Sequence, residues 1–135
     1  MAKAFKFELV SPERLLLSEE VVEVVISGTE GEMTVMADHA PTMTSIKPGI
    51  ITAVRPGGER EQFVVFGGFA DITPEGCRLL AESATRVADL DRNDLLRRIE
   101  AVRAEIEGAR DHETRSRAEE FLGQLTTLEG TLLPA

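Results

Sequence analysis

The strongest constraint in this chain is a change of period near residue 88. Before it, Gly and Pro interrupt the sequence at short intervals, and the runs between them are apolar or alternating and rich in Val, Ile, Phe and Thr. Phe5, Phe7 and Leu9 alternate with Lys6 and Glu8 over 4–10, which predicts a strand with one buried face. The denser run VVEVVIS at 21–27 predicts a strand partly covered on both faces. Further strands are expected at 32–36, 50–55, 61–66, 69–72 and 77–81. Short strands separated by turn signals predict an antiparallel β-sandwich or barrel. Arg55-Pro56-Gly57-Gly58-Glu59 reads as a hairpin turn, because Pro presets φ and Gly supplies a positive one. The segment 71–76 reads as another.

Beyond Ala88, Leu95, Ile99, Val102 and Ile106 recur at helical spacing, with Asp91 or Asp89 placed to cap the first turn. Gly108 through His112 breaks the stripe. Ala118, Phe121 or Leu122, Leu125, Leu128 and Leu132 form a second stripe, ending near Gly130 and Pro134. Two helices in an antiparallel hairpin bury both stripes. One long helix would leave a stripe in water and carry Gly108 inside it at about 1 kcal/mol. The predicted fold is therefore segregated, a β-sandwich over 1–88 followed by a helical hairpin over 89–135.

Composition narrows the function. A net charge of −9 without a basic cluster argues against nucleic acid and against direct contact with anionic lipid. Trp and Tyr are absent, which leaves few platforms for stacking bases or sugars. Cys77 is the only cysteine, so no internal disulfide forms and a reducing compartment is expected. No run is long enough for a signal peptide or a membrane span, so any membrane association is expected through a protein partner.

Candidate chemistry is sparse. Gly28-Thr29-Glu30-Gly31-Glu32 reads as a hairpin turn and fails as a phosphate loop, because its carboxylates repel phosphate and no helix follows. Asp38 and His39 with Glu30 and Glu32 form an oxygen-rich donor set, yet nothing in the sequence fixes them toward a common point. The simpler expectation is an Asx turn at Asp38 and a loop-anchoring hydrogen bond from His39. Gly67-Gly68 reads as a strand bend, and Cys77 as a buried, inert thiol. No catalytic residue, metal site or cofactor is expected, and the residues point to an interaction module.

Several words of the sequence do carry a resemblance. Phe7-Glu8-Leu9-Val10-Ser11-Pro12-Glu13, Gly28-Thr29-Glu30-Gly31-Glu32, His39-Ala40-Pro41, Ile46-Lys47-Pro48-Gly49 and Gly67-Gly68-Phe69 stand in consistent order up to about Leu90. Together they resemble the epsilon subunits of F-type ATP synthases, called delta in mitochondria. The resemblance implies a non-catalytic rotor-stalk subunit that couples proton flow to ATP synthesis. It implies a sandwich seated on the gamma subunit and the c-ring, and helices that reach the alpha/beta head. It also implies a peripheral location on the cytoplasmic face of the bacterial inner membrane. The foot of the joint would comprise Glu30, Gly31, Glu32, His39, Ala40 and Pro41.

Some bacterial members bind ATP through Ile/Leu-Asp-x-x-Arg-Ala at the first helix. Here the segment is Leu90-Asp91-Arg92-Asn93-Asp94-Leu95, which keeps Leu90 and Asp91 as a remnant and puts a carboxylate where a guanidinium would face phosphate. Weak nucleotide binding and weak regulation by the tail are expected. Two other readings are an adaptor of a different cytoplasmic assembly and a small metal-dependent hydrolase centred on Asp38 and His39.

Overall fold

A computed structural model describes residues 3–132. The outermost residues of the expected domains, Pro134 among them, lie outside the described residues. The chain divides into two compact units, Met1–Ala88 and Asp89–Ala135.

The first unit is built from strands β1 (Phe5–Ser11), β2 (Arg14–Val21), β3 (Glu23–Gly28), β4 (Gly31–Val35) and β5 (Thr42–Ile46). It continues with β6 (Gly49–Val54), β7 (Arg60–Val65), β8 (Gly68–Thr73), β9 (Gly76–Ala81) and β10 (Ala84–Arg86). Their order is β10-β7-β6-β3-β5-β8-β9-β1-β2, with β4 paired to β3. All pairings are antiparallel except β1 with β9. Strand β3 is the joint: Glu23–Val25 pair with β6, whereas Gly28 pairs with Ile46 of β5. The two halves of the path share one apolar core. Phe7 and Leu9 from β1 join Val24 and Ile26 from β3, Phe63 from β7 and Leu79 from β9.

The alternation on β1 behaves as its sequence predicts, with Phe5, Phe7 and Leu9 buried and Lys6 exposed. The run at 21–27 differs, because it splits: Val21 closes β2 and β3 begins at Glu23. Strands β2, β5 and β10 were not expected. Their sequences RLLLSEEV, TMTSI and ATR alternate poorly, and β5 buries only Ile46. These strands are held by backbone pairing to neighbours already in place, a non-local term that periodicity does not carry.

After a 3-10 turn at Val87–Asp89, the second unit consists of α1 (Arg92–Gly108) and α2 (His112–Leu132), packed against each other. Asp91 is the N-cap of α1 and accepts from the Asn93 amide at 2.8 Å. The helix ends at Gly108, and Asp111 opens α2 by accepting from the Thr114 amide at 2.7 Å. A second bond, from Thr114 Oγ1, reaches the same carboxylate. These bonds hold the Asp111 carboxyl below its ordinary value. Two capped helices thus replace the single-helix alternative. The buried seam is Leu95, Ile99 and Val102 against Ala118, Leu125 and Leu128. Phe121 and Ile106, expected inside, are only half-buried, because Ala118 and Leu125 lie seven residues apart on the central line and Phe121 falls to its flank.

Candidate functional site

The β3–β4 hairpin presents Thr29 and Glu30 at its exposed tip. Gly31 takes φ +130°, a conformation that a side chain would strain even though a β-carbon there would meet open space. The tip is locked to β5: the Thr29 amide donates to Ser45 and the Lys47 amide to Ser27, at 3.0 and 2.9 Å. Ser27 is buried and donates to the Lys47 carbonyl at 2.9 Å. A side chain on Gly49 would place its β-carbon 2.6 Å from that of Ser27. The Lys47-Pro48-Gly49 word is therefore a packing requirement behind the tip. Between the hairpin and β5 lies a cleft of about 380 Å³, lined by Glu30, Gly31 and Glu32 on one side and Thr42, Met43 and Thr44 on the other.

The loop from Met36 to Pro41 leads into β5 beside this cleft. Asp38 takes φ +62° and donates its amide to the Pro74 carbonyl at 3.3 Å. Its carboxylate pairs with Lys3 at 3.2 Å, the partner seen in place of the expected Asx turn. His39 Nδ1 donates to the Ala40 carbonyl at 2.7 Å, and Thr42 Oγ1 donates to the same oxygen at 3.0 Å. Glu30, Gly31 and Glu32 therefore converge on one cleft, while His39, Ala40 and Pro41 form the segment entering its far wall. Among the described residues no three of His, Cys, Asp and Glu come together as a metal site. Cys77 is buried, and its thiol is pushed up to about 12 by desolvation and then by Asp71, so it carries almost no thiolate near neutral pH.

Gly67 and Gly68 both take positive φ, and a β-carbon on Gly68 would sit 2.1 Å from the Leu80 carbonyl oxygen. They let β8 approach β9 and turn Phe69 outward. Leu90 and Asp91, which the resemblance implies as the remnant of a nucleotide site, lie just before α1, with Asp91 engaged as its cap and Asp94 paired to Arg97.

The largest feature absent from the sequence reading is an apolar row on the outer face of the sheet. Register places Leu15 opposite Val10, Val10 opposite Leu80, and Leu80 opposite Phe69, across β2, β1, β9 and β8. Leu15, Phe69 and Leu80 are 55%, 56% and 48% exposed, and a cleft of about 310 Å³ runs beside Val10, Phe69 and Leu80. The signal was in the phase: Ala70 and Ile72 face the core on β8, as Leu79 and Ala81 do on β9, so Phe69 and Leu80 must face out. An exposed apolar row of this extent marks a contact surface.

A β-sandwich with an outward apolar row, followed by a separate helical hairpin, defines an attachment module. The beta-sandwich domain of the ATP synthase delta/epsilon chain matches residues 4–87. ATP synthase epsilon chains from Chelativorans sp. and Mesorhizobium japonicum are 83% and 64% identical over 135 residues, each aligned over its full length. In a mitochondrial ATP synthase structure from Euglena gracilis, containing OSCP, F1 and c-ring, one chain superposes with a TM-score of 0.76 at 28% identity. That match covers 96% of this chain and 81% of the other. A chain from the central stalk and c-ring of the Tetrahymena thermophila enzyme shares the fold at a TM-score of 0.63 and 13% identity. The chain belongs to the ATP synthase delta/epsilon family.

Proposed function

We propose that this chain is a stalk subunit of the rotor of a proton-translocating ATP synthase, joining gamma to the c-ring and carrying no catalytic site of its own. The observation that carries the reading is the row Leu15–Val10–Leu80–Phe69, which gives a rigid sheet a broad apolar face for a partner subunit. Gamma is the assigned occupant of that face. The acidic cleft at Glu30–Glu32, with the segment His39–Pro41, is the assigned foot on the polar loops of the c-ring. Two carboxylates and the 73% exposed Met43 provide charge and an apolar contact there. No helix among the described residues is long and apolar enough to cross a membrane, which fits attachment through other subunits. The corresponding location is the cytoplasmic face of the bacterial inner membrane, within a membrane-associated complex whose catalytic sites lie in other chains.

The test is co-purification with detergent-solubilised membranes from a strain lacking the native subunit. The full chain should recover gamma and the c-ring. Phe69→Asp and Leu80→Asp should lose gamma while keeping the circular dichroism of the parent. Recovery of a different assembly, or undiminished gamma binding by both variants, would overturn the reading.

A further inference from the structure

The shortest strand of the sheet sits at the point where the first unit ends. Strand β10 has three residues, pairs with β7 alone and is half-buried throughout. So short an edge strand gains little from its own burial. What holds it is a chain of charges. Arg86 pairs with Glu61 of β7, and its guanidinium lies 5.0 Å over the ring of Phe63, which is fully buried. Glu61 also accepts from Arg55 Nη2 at 2.6 Å, and Arg55 Nε donates to Glu19 of β2 at 2.7 Å. The Glu61 side chain is only 18% exposed, so water screens these contacts less than it screens the ion pairs on the helices. Glu19, Arg55, Glu61 and Arg86 thus run as one network from β2 through the end of β6 and β7 to the last strand.

We propose that β10 is a releasable latch. The network centred on Glu61 holds Ala84–Arg86 on β7, and opening it lengthens the connection to α1. With β10 paired, the connection comprises 87–91. With β10 released it begins at Ala84, after Ser83, whose carbonyl still accepts from the Phe66 amide at 3.1 Å, and the three strand residues add about 10 Å of reach. The remainder of the sheet does not depend on β10, because β7 keeps its pairing to β6 from Arg60 to Val65. The network therefore sets how much of the chain between β9 and α1 is free to extend, whatever the sandwich binds.

Limited tryptic digestion of the full chain tests this, because cleavage after Arg86 requires β10 to leave β7. Arg110, in the connection between the helices, supplies an internal reference site. Glu61→Gln should raise cleavage after Arg86 several-fold relative to cleavage after Arg110. Arg86→Lys, which keeps the trypsin site and the charge but loses the planar stack on Phe63, should raise it less. Hydrogen exchange should show faster amides at 84–86 with the β6–β7 amides little changed. An unchanged Arg86-to-Arg110 ratio in Glu61→Gln would overturn the latch, and so would an equal rise after Arg60 and Arg78, which signals general loosening of the sandwich.

Discussion

The two units of this chain invest very differently in their interiors. The sandwich closes around a continuous core in which Phe7, Leu9, Ile26, Phe63, Ile72 and Leu79 are fully buried. The hairpin closes along a single seam, with three buried side chains from each helix. A body with a shared core unfolds as a whole, whereas a single narrow seam opens at lower free energy. The contrast suits a rigid joint followed by a segment that can rearrange.

Core substitutions should split the two units most sharply. Phe63→Ala should destabilise the sandwich by about 3–5 kcal/mol, and Leu125→Ala should cost the hairpin about 2–5 kcal/mol. Chemical denaturation followed at sandwich and helix signals should then separate. Phe63→Ala should shift the sandwich transition alone, and Leu125→Ala the helical one alone. A single transition that moves in both variants would break the comparison.

Next in size come effects on assembly without loss of fold. His39→Trp should weaken membrane recovery by tenfold or more while the isolated sandwich keeps its melting behaviour, whereas Gly31→Val, strained at φ +130°, should weaken recovery and also lower the melting temperature. Full coupling restored by either variant in a deletion strain would move the foot elsewhere.

A smaller change is expected on deleting residues after Ala88. From Asp111 to Glu129 the acids Asp111, Glu113, Glu119, Glu120 and Glu129 outnumber Arg115 and Arg117, so the second helix repels an acidic partner. Asp94 is paired to Arg97 and offers phosphate nothing. ATP hydrolysis by the whole enzyme should change by less than twofold, a barrier difference below about 0.4 kcal/mol. Calorimetry should find no micromolar ATP binding. Several-fold activation on truncation would show that the tail inhibits despite its charge.

The smallest effect concerns the cap of α2. The Asp111 carboxyl is held below its ordinary value by Thr114, so its contribution is complete above about pH 4 and is lost as pH falls through the depressed folded value. Helical signal in the wild type should fall slightly over that acidic range. Asp111→Asn, which still caps but does not titrate, should reduce that fall by the Asp111 share.

Much of this architecture could be read directly. The shift from strand to helical spacing announced the segregated fold, and the acids at Asp89 and Asp91 announced a cap, which the structure assigns to Asp91. Phe5, Phe7 and Leu9 announced a buried face. The short strands β2, β5 and β10 could not be read, because pairing partners distant in the chain create them. Of the candidate sites, the tip at Glu30–Glu32 was visible as turn chemistry. The apolar row was not, since Leu15, Val10, Leu80 and Phe69 are neighbours only across four strands.

What the sequence determined by itself is whatever depends on near neighbours along the chain: helical stripes, caps, glycine turns and the alternation of single strands. Register was decided only by the tertiary structure. It set Arg86 over Phe63, joined Glu19 to Arg55, and aligned the outward residues of β2, β1, β9 and β8 into one surface. The reason is geometric. A strand's side chains alternate whatever its partner, but which of them become neighbours depends on pairings whose positions local propensity does not encode.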